Sequence, residues 1–150
     1  MKRRKRNLIL LGAAGVISAA AIAVSVSQPS CTTITGGDKL TVAMAKLAPG
    51  TASFFCYRDE AGDHLRFVLA RDESGQVHSI LDGCRQCGKF HKGYATADGE
   101  LICRVCGNKY KLADVERGEG SCVPVALPSK QSHDHIEIKV ADLKQASQQF

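Results

Sequence analysis

Beyond residue 38, hydrophobic and polar positions alternate through much of the chain. Leu40, Val42 and Met44 alternate with Thr41 and Ala43, a period of two that turns one side of a strand to a core and the other to solvent. Phe54 to Tyr57 is a second strand candidate and Leu65 to Ala70 a third, with Asp59-Glu60-Ala61-Gly62-Asp63 as the turn between them. Asp72-Glu73-Ser74-Gly75 is another turn, before a strand over Val77 to Leu81. Tyr94 to Ile102 reads as a hairpin about Asp98-Gly99, a pair suited to the positive φ angles of a tight two-residue turn. Lys109 to Leu112 is a short strand candidate and His135 to Val140 the last. Val140 to Ser147 has weak helical character, and the C-terminus is expected to fray. Strands at about ten-residue spacing with Asp/Gly turns predict a mostly β, small antiparallel domain.

The first part of the chain has a different pattern. Lys2, Arg3, Arg4, Lys5 and Arg6 form a basic cluster, and the 19 residues from Leu8 to Val26 carry no charge. A basic n-region before an apolar segment marks a secretory signal or a single membrane anchor with its basic end in the cytoplasm. The run is just long enough to span a bilayer. Ser25-Val26-Ser27 is a passable cleavage site, but the length favours an uncleaved anchor. The reading is therefore an anchor or signal over 1–27, a polar linker over 28–38 and a cysteine-rich domain over 39–150. The domain would lie on the extracytoplasmic side of the inner membrane.

Charge then removes one class of function. The chain has 20 Lys plus Arg against 15 Asp plus Glu, a formal +5. The five basic residues at 2–6 account for the whole excess, so the remainder is neutral. Nothing supports a basic nucleic-acid surface.

Seven cysteines carry the candidate chemistry. Cys84-Arg85-Gln86-Cys87 and Cys103-Arg104-Val105-Cys106 are paired motifs, each followed by glycine, Gly88 and Gly107. Two such pairs can converge on one soft metal centre, and a glycine that tolerates positive φ lets the backbone curl round the sulfurs. Cys84, Cys87, Cys103 and Cys106 are the expected ligands. Their spacing does not choose among zinc, a single iron and an iron–sulfur cluster. Arg85, Lys89, Lys92, Arg104 and Lys109 are expected to lower the thiol pKa values. Cys122 has three readings: an alternative ligand, a neighbour of the site, or a disulfide partner of Cys56 or Cys31. The flexible Gly118, Gly120 and Ser121 favour the first two. His91 follows Cys87 by four residues, but cysteines already fill four positions, so it reads as a surface residue. His133 and His135 read as a solvated strand end. No Ser/His/Asp or paired-carboxylate constellation points to a hydrolase.

Taken together, several segments of 39–150 resemble the FtrD-like membrane iron–sulfur protein family. They are Phe54-Phe55-Cys56-Tyr57, Leu65-Arg66-Phe67, Asp82 to Cys87, Gly93-Tyr94, Gly99 to Gly107 and Gly120-Ser121-Cys122-Val123-Pro124. Family members typically carry two glycines and an asparagine about the last cysteine, where this chain has Ser121 and Val123. The resemblance implies an iron–sulfur cluster and a membrane-linked electron-transfer or iron-handling accessory of an iron-uptake system. Its partner would be a membrane iron-transport or redox protein, and its role that of a carrier rather than an enzyme. The alternative is a zinc-stabilised module that docks a transporter.

Overall fold

The computed structural model describes residues 28–150 except Asp63 and Glu119. The apolar run at 8–26 lies outside the described residues. Eleven strands and one α-helix are present among those described. They are β1 (Thr32–Ile34), β2 (Lys39–Ala43), β3 (Thr51–Arg58), β4 (His64–Arg71), β5 (Val77–Cys84), β6 (Tyr94–Ala97), β7 (Glu100–Cys103), β8 (Lys109–Lys111), β9 (Pro124–Ala126), β10 (Lys130–Gln131), β11 (His135–Lys139) and α1 (Val140–Ser147).

A five-stranded sheet in the order β1-β3-β4-β5-β9 forms the centre. Three-stranded sheets β10-β11-β2 and β6-β7-β8 complete the described fold. Every pairing is antiparallel except β1 with β3, which is parallel. The central sheet is buried on both faces, which explains the nearly continuous apolar run of β4. Successive side chains point to opposite faces. Phe55, Phe67, Leu69 and Leu81 enter one core, with Leu40, Ile136, Ile138 and Leu143 from β2, β11 and α1. Phe54, Val68, Ala70 and Ile80 enter a second core, with Tyr94, Leu101, Cys103 and Tyr110 from the β6–β8 sheet. Cys84, Cys87 and Cys122 belong to that second core.

The hairpin turn is as expected, with φ of +53° at Asp98 and +75° at Gly99. Three short strands escape the hydropathy pattern. β9 begins at a proline, a residue tolerated at a strand's first position, and β10 has two residues, too few to show a period. β1 lies inside the stretch read as linker; it is held by its pairing with β3 and by the Cys31–Cys56 disulfide. The C-terminus does not fray as expected. Phe150 packs against the first core, its ring over Gly83 and Gly88.

Candidate metal centre

The cysteines of the site stand at strand ends or in the turns between elements. Cys84 is the last residue of β5 and Cys103 the last of β7, while Cys87 opens a single 3-10 turn over Gly88–Phe90. Cys106 lies in the turn after β7, and Cys122 lies two residues before β9, whose Pro124 pairs with Cys84. The sheets therefore bring together sulfurs that are distant in sequence. The Sγ atoms of Cys84, Cys87, Cys103 and Cys122 all lie within 4.8 Å of one another, and all four residues are buried. Cys84 and Cys122 are joined as a disulfide; as thiolates, the same pair would supply two ligands. Cys106 is exposed, with its Sγ 3.4 Å from that of Cys122. Cys122, the residue with three readings, thus stands at the middle of the group.

Backbone amides surround the sulfurs. The Cys87 amide donates to Cys84 Sγ at 3.3 Å. Burial opposes ionisation of Cys103, but the amides of Cys106 and Val105 together with the Cys106 and Cys87 side chains outweigh it and hold the thiol below its ordinary value. Cys87 goes the other way. Burial, with the adjoining Cys103 and Cys106, pushes its thiol up to about 12. The leading causes are burial, amides and neighbouring sulfurs, so the expected role of Arg85, Lys89, Lys92, Arg104 and Lys109 in lowering the thiols is not what the structure gives. The reason is position: Arg85, Lys89, Lys92 and Lys109 are exposed, and Arg104 turns its guanidinium to the Lys92 carbonyl at 2.6 Å.

The two trailing glycines have different tasks. Gly107 has the expected positive φ, +78°, and its amide closes the turn on the Cys103 carbonyl at 2.9 Å. Gly88 has no positive φ; it is a glycine because a Cβ there would enter the Phe150 ring.

Sequence reasoning missed two residues. Asp82, just before Gly83-Cys84, has a side chain only 2% exposed. Its Oδ2 accepts from Arg66 Nε at 2.8 Å and its Oδ1 from the Tyr94 amide at 2.8 Å. This carboxylate fastens β6 to the central sheet and so closes the site. The local signal was a carboxylate set in an otherwise apolar strand end. Tyr94 pairs directly with Cys103 across β6 and β7, so the two side chains share a face. Tyr94 has no solvent exposure, and its hydroxyl has no hydrogen-bond partner among the described residues. Tyr110, edge-on to it with ring centroids 5.9 Å apart, donates its hydroxyl to the Cys122 carbonyl at 2.8 Å.

The histidines stay away from the sulfurs. His91 is exposed, at φ +52°. His133 is exposed, and His135 is engaged by the Asp134 carboxylate at 2.7 Å and the Ser132 hydroxyl at 3.0 Å.

A family model described as membrane iron-sulfur containing protein FtrD-like matches residues 47–150. The chain belongs to that family. No curated protein and no solved structure matches it. The residues present fit an iron–sulfur centre. Four buried sulfurs lie close enough together to share one centre, a soft donor set suited to iron. The Tyr94 hydroxyl adds a buried donor with no other partner on the same face. Among the described residues, no helix is long and apolar enough to cross a membrane.

Proposed function

We propose that this FtrD-like protein is a membrane-tethered electron carrier whose extracytoplasmic iron–sulfur centre serves an iron-uptake system. The observation that carries the reading is the convergence of four buried sulfurs from three separate stretches of the chain, in a family described as iron–sulfur-containing. When bound, such a cluster accepts and gives electrons at a potential set by nearby charge and hydrogen bonds. The chain's own contribution is to hold it. Cys84, Cys87, Cys103 and Cys122 are the proposed ligands, chosen over the set from pair spacing because Cys122 is buried among the others and Cys106 is exposed at the rim. Amides of Cys87, Val105 and Cys106 stabilise sulfur charge, and the flanking sheets exclude water. The apolar run at 8–26 would tether the domain, bringing a membrane iron-transport or redox partner to high effective concentration.

Anaerobic purification followed by metal analysis and visible spectroscopy tests this. The protein is expected to be brown, to contain iron and sulfide, and to bleach on reduction. Cys122→Ser should abolish the colour, while Cys106→Ser should keep most of it. The reverse outcome restores the pair-spacing ligands, and colourless protein with stoichiometric zinc from iron-replete cells favours the docking module instead.

A further inference from the structure

The cysteines outside the metal centre form a second sulfur site. Cys31, just before β1, is joined to Cys56 in β3. Both residues are half-buried, so each keeps part of its surface open to solvent. Cys56 pairs with Arg66 across β3 and β4, which puts the guanidinium on the face that carries the bridge. Arg66 Nη1 donates to Cys31 Sγ at 3.2 Å and lies 3.5 Å from Cys56 Sγ. The guanidinium is fixed on its other sides. Its Nε binds Asp82 at 2.8 Å and its Nη2 the Pro29 carbonyl at 3.2 Å.

A fixed cation beside sulfur favours thiolate over thiol and makes that sulfur a better leaving group. It gives little to a neutral disulfide. An arginine held on the bridge therefore stabilises the reduced form more than the oxidised one.

We propose that Cys31–Cys56 is a redox-active disulfide, opened in the folded protein by thiol–disulfide exchange with an external dithiol. One thiolate of the dithiol attacks Cys56 Sγ, forming a mixed disulfide, and the Cys31–Cys56 bond breaks. Cys31 leaves as a thiolate beneath Arg66, whose nearer contact is to that sulfur. The second thiol of the reductant, losing its proton to solvent, then attacks its own sulfur in the mixed disulfide and releases Cys56, which is protonated. Two electrons pass to the protein, and the reductant ends as a disulfide. Counted from the neutral dithiol, the products on the protein are one thiolate and one thiol, with one proton released when the attacking thiol ionises. The proton lost by the second thiol is balanced by the one Cys56 takes up. The proposal stands apart from the iron–sulfur reading, since neither cysteine belongs to the metal-capable group.

The test uses the full chain in detergent, equilibrated anaerobically over a series of reduced-to-oxidised dithiothreitol ratios. Thiols are then alkylated, and the Cys31 and Cys56 peptides are quantified by mass. Wild-type protein is expected to open this bridge while its circular dichroism stays native. Arg66→Met should need a ratio about tenfold more reducing, about 30 mV for a two-electron couple, and Arg66→Lys should fall between. With glutathione as the monothiol probe, the adduct should sit on Cys56. A bridge that stays closed in native wild-type protein under excess dithiothreitol overturns the proposal, whatever the variants do. So does an Arg66→Met protein of native fold that opens at the wild-type ratio. An adduct confined to Cys31 overturns the assigned direction of attack.

Discussion

The Tyr94 hydroxyl is a buried group that no described residue satisfies. A buried hydroxyl without a partner costs about 1–3 kcal/mol, and this one has no partner among the described residues. Burial, aided by Tyr110, Cys103, Asp82 and Cys106, drives its pKa far upward, so it stays a neutral donor across the physiological range. It shares a strand face with Cys103, and its hydroxyl would donate a hydrogen bond to a sulfur of a bound cluster. Tyr94→Phe is then expected to act oppositely in the two states. The chelator-treated protein should gain about 1 kcal/mol in urea unfolding, because the orphan is gone. The loaded protein should lose a hydrogen bond to sulfur and shift to a more negative midpoint potential in a spectroelectrochemical titration. An unchanged potential would separate Tyr94 from the centre.

At the scale of elements, the glycine after Cys87 links the metal site to the end of the chain. The Phe150 ring occupies the space in which a Gly88 side chain would stand, and it also touches the Gly83 position. Gly88→Ala must displace that ring or shift the Cys84–Cys87 turn, a strain of about 1–3 kcal/mol. Phe150→Ala removes the obstacle. The double variant should therefore be less destabilised than the two single changes added together, a coupling that a chemical-denaturation cycle measures. Sequence reading gave Gly88 the wrong task because the motif is local and the ring comes from the far end of the chain. The same limit applies elsewhere. Strands that bury a face announce themselves by period, as β2 and β11 do, and Asp98-Gly99 announces its turn chemically. β1, β9 and β10 have too few residues for a period and exist because neighbours pair with them. Three of the four grouped sulfurs, Cys84, Cys87 and Cys103, were legible in the two pairs, since spacing is written in the sequence. The central place of Cys122 was not, because it depends on β9 lying beside β5.

For the whole molecule, the arrangement of cores bears on what the N-terminal segment is for. Both faces of the central sheet are covered by residues between Leu40 and Ala146. Every sulfur of the metal-capable group comes from residues 84 to 122. The most N-terminal cysteine, Cys31, is fixed to Cys56. All of these interactions lie within the described residues 31–150. If the apolar run at 8–26 is an uncleaved anchor, it sets the location of the domain. A chain beginning at Gln28, exported on a cleavable signal, is then expected to fold with the same sulfur site. After anaerobic loading it should show the absorption spectrum of the full chain, with a denaturation midpoint close to it. Its fractionation should change completely: the full chain should stay with membranes through carbonate extraction, and the shortened one should appear in the soluble periplasmic fraction. Release of the full chain by carbonate would rule out a spanning anchor. A shortened chain that still sediments with membranes would instead place a membrane-binding surface on the β domain.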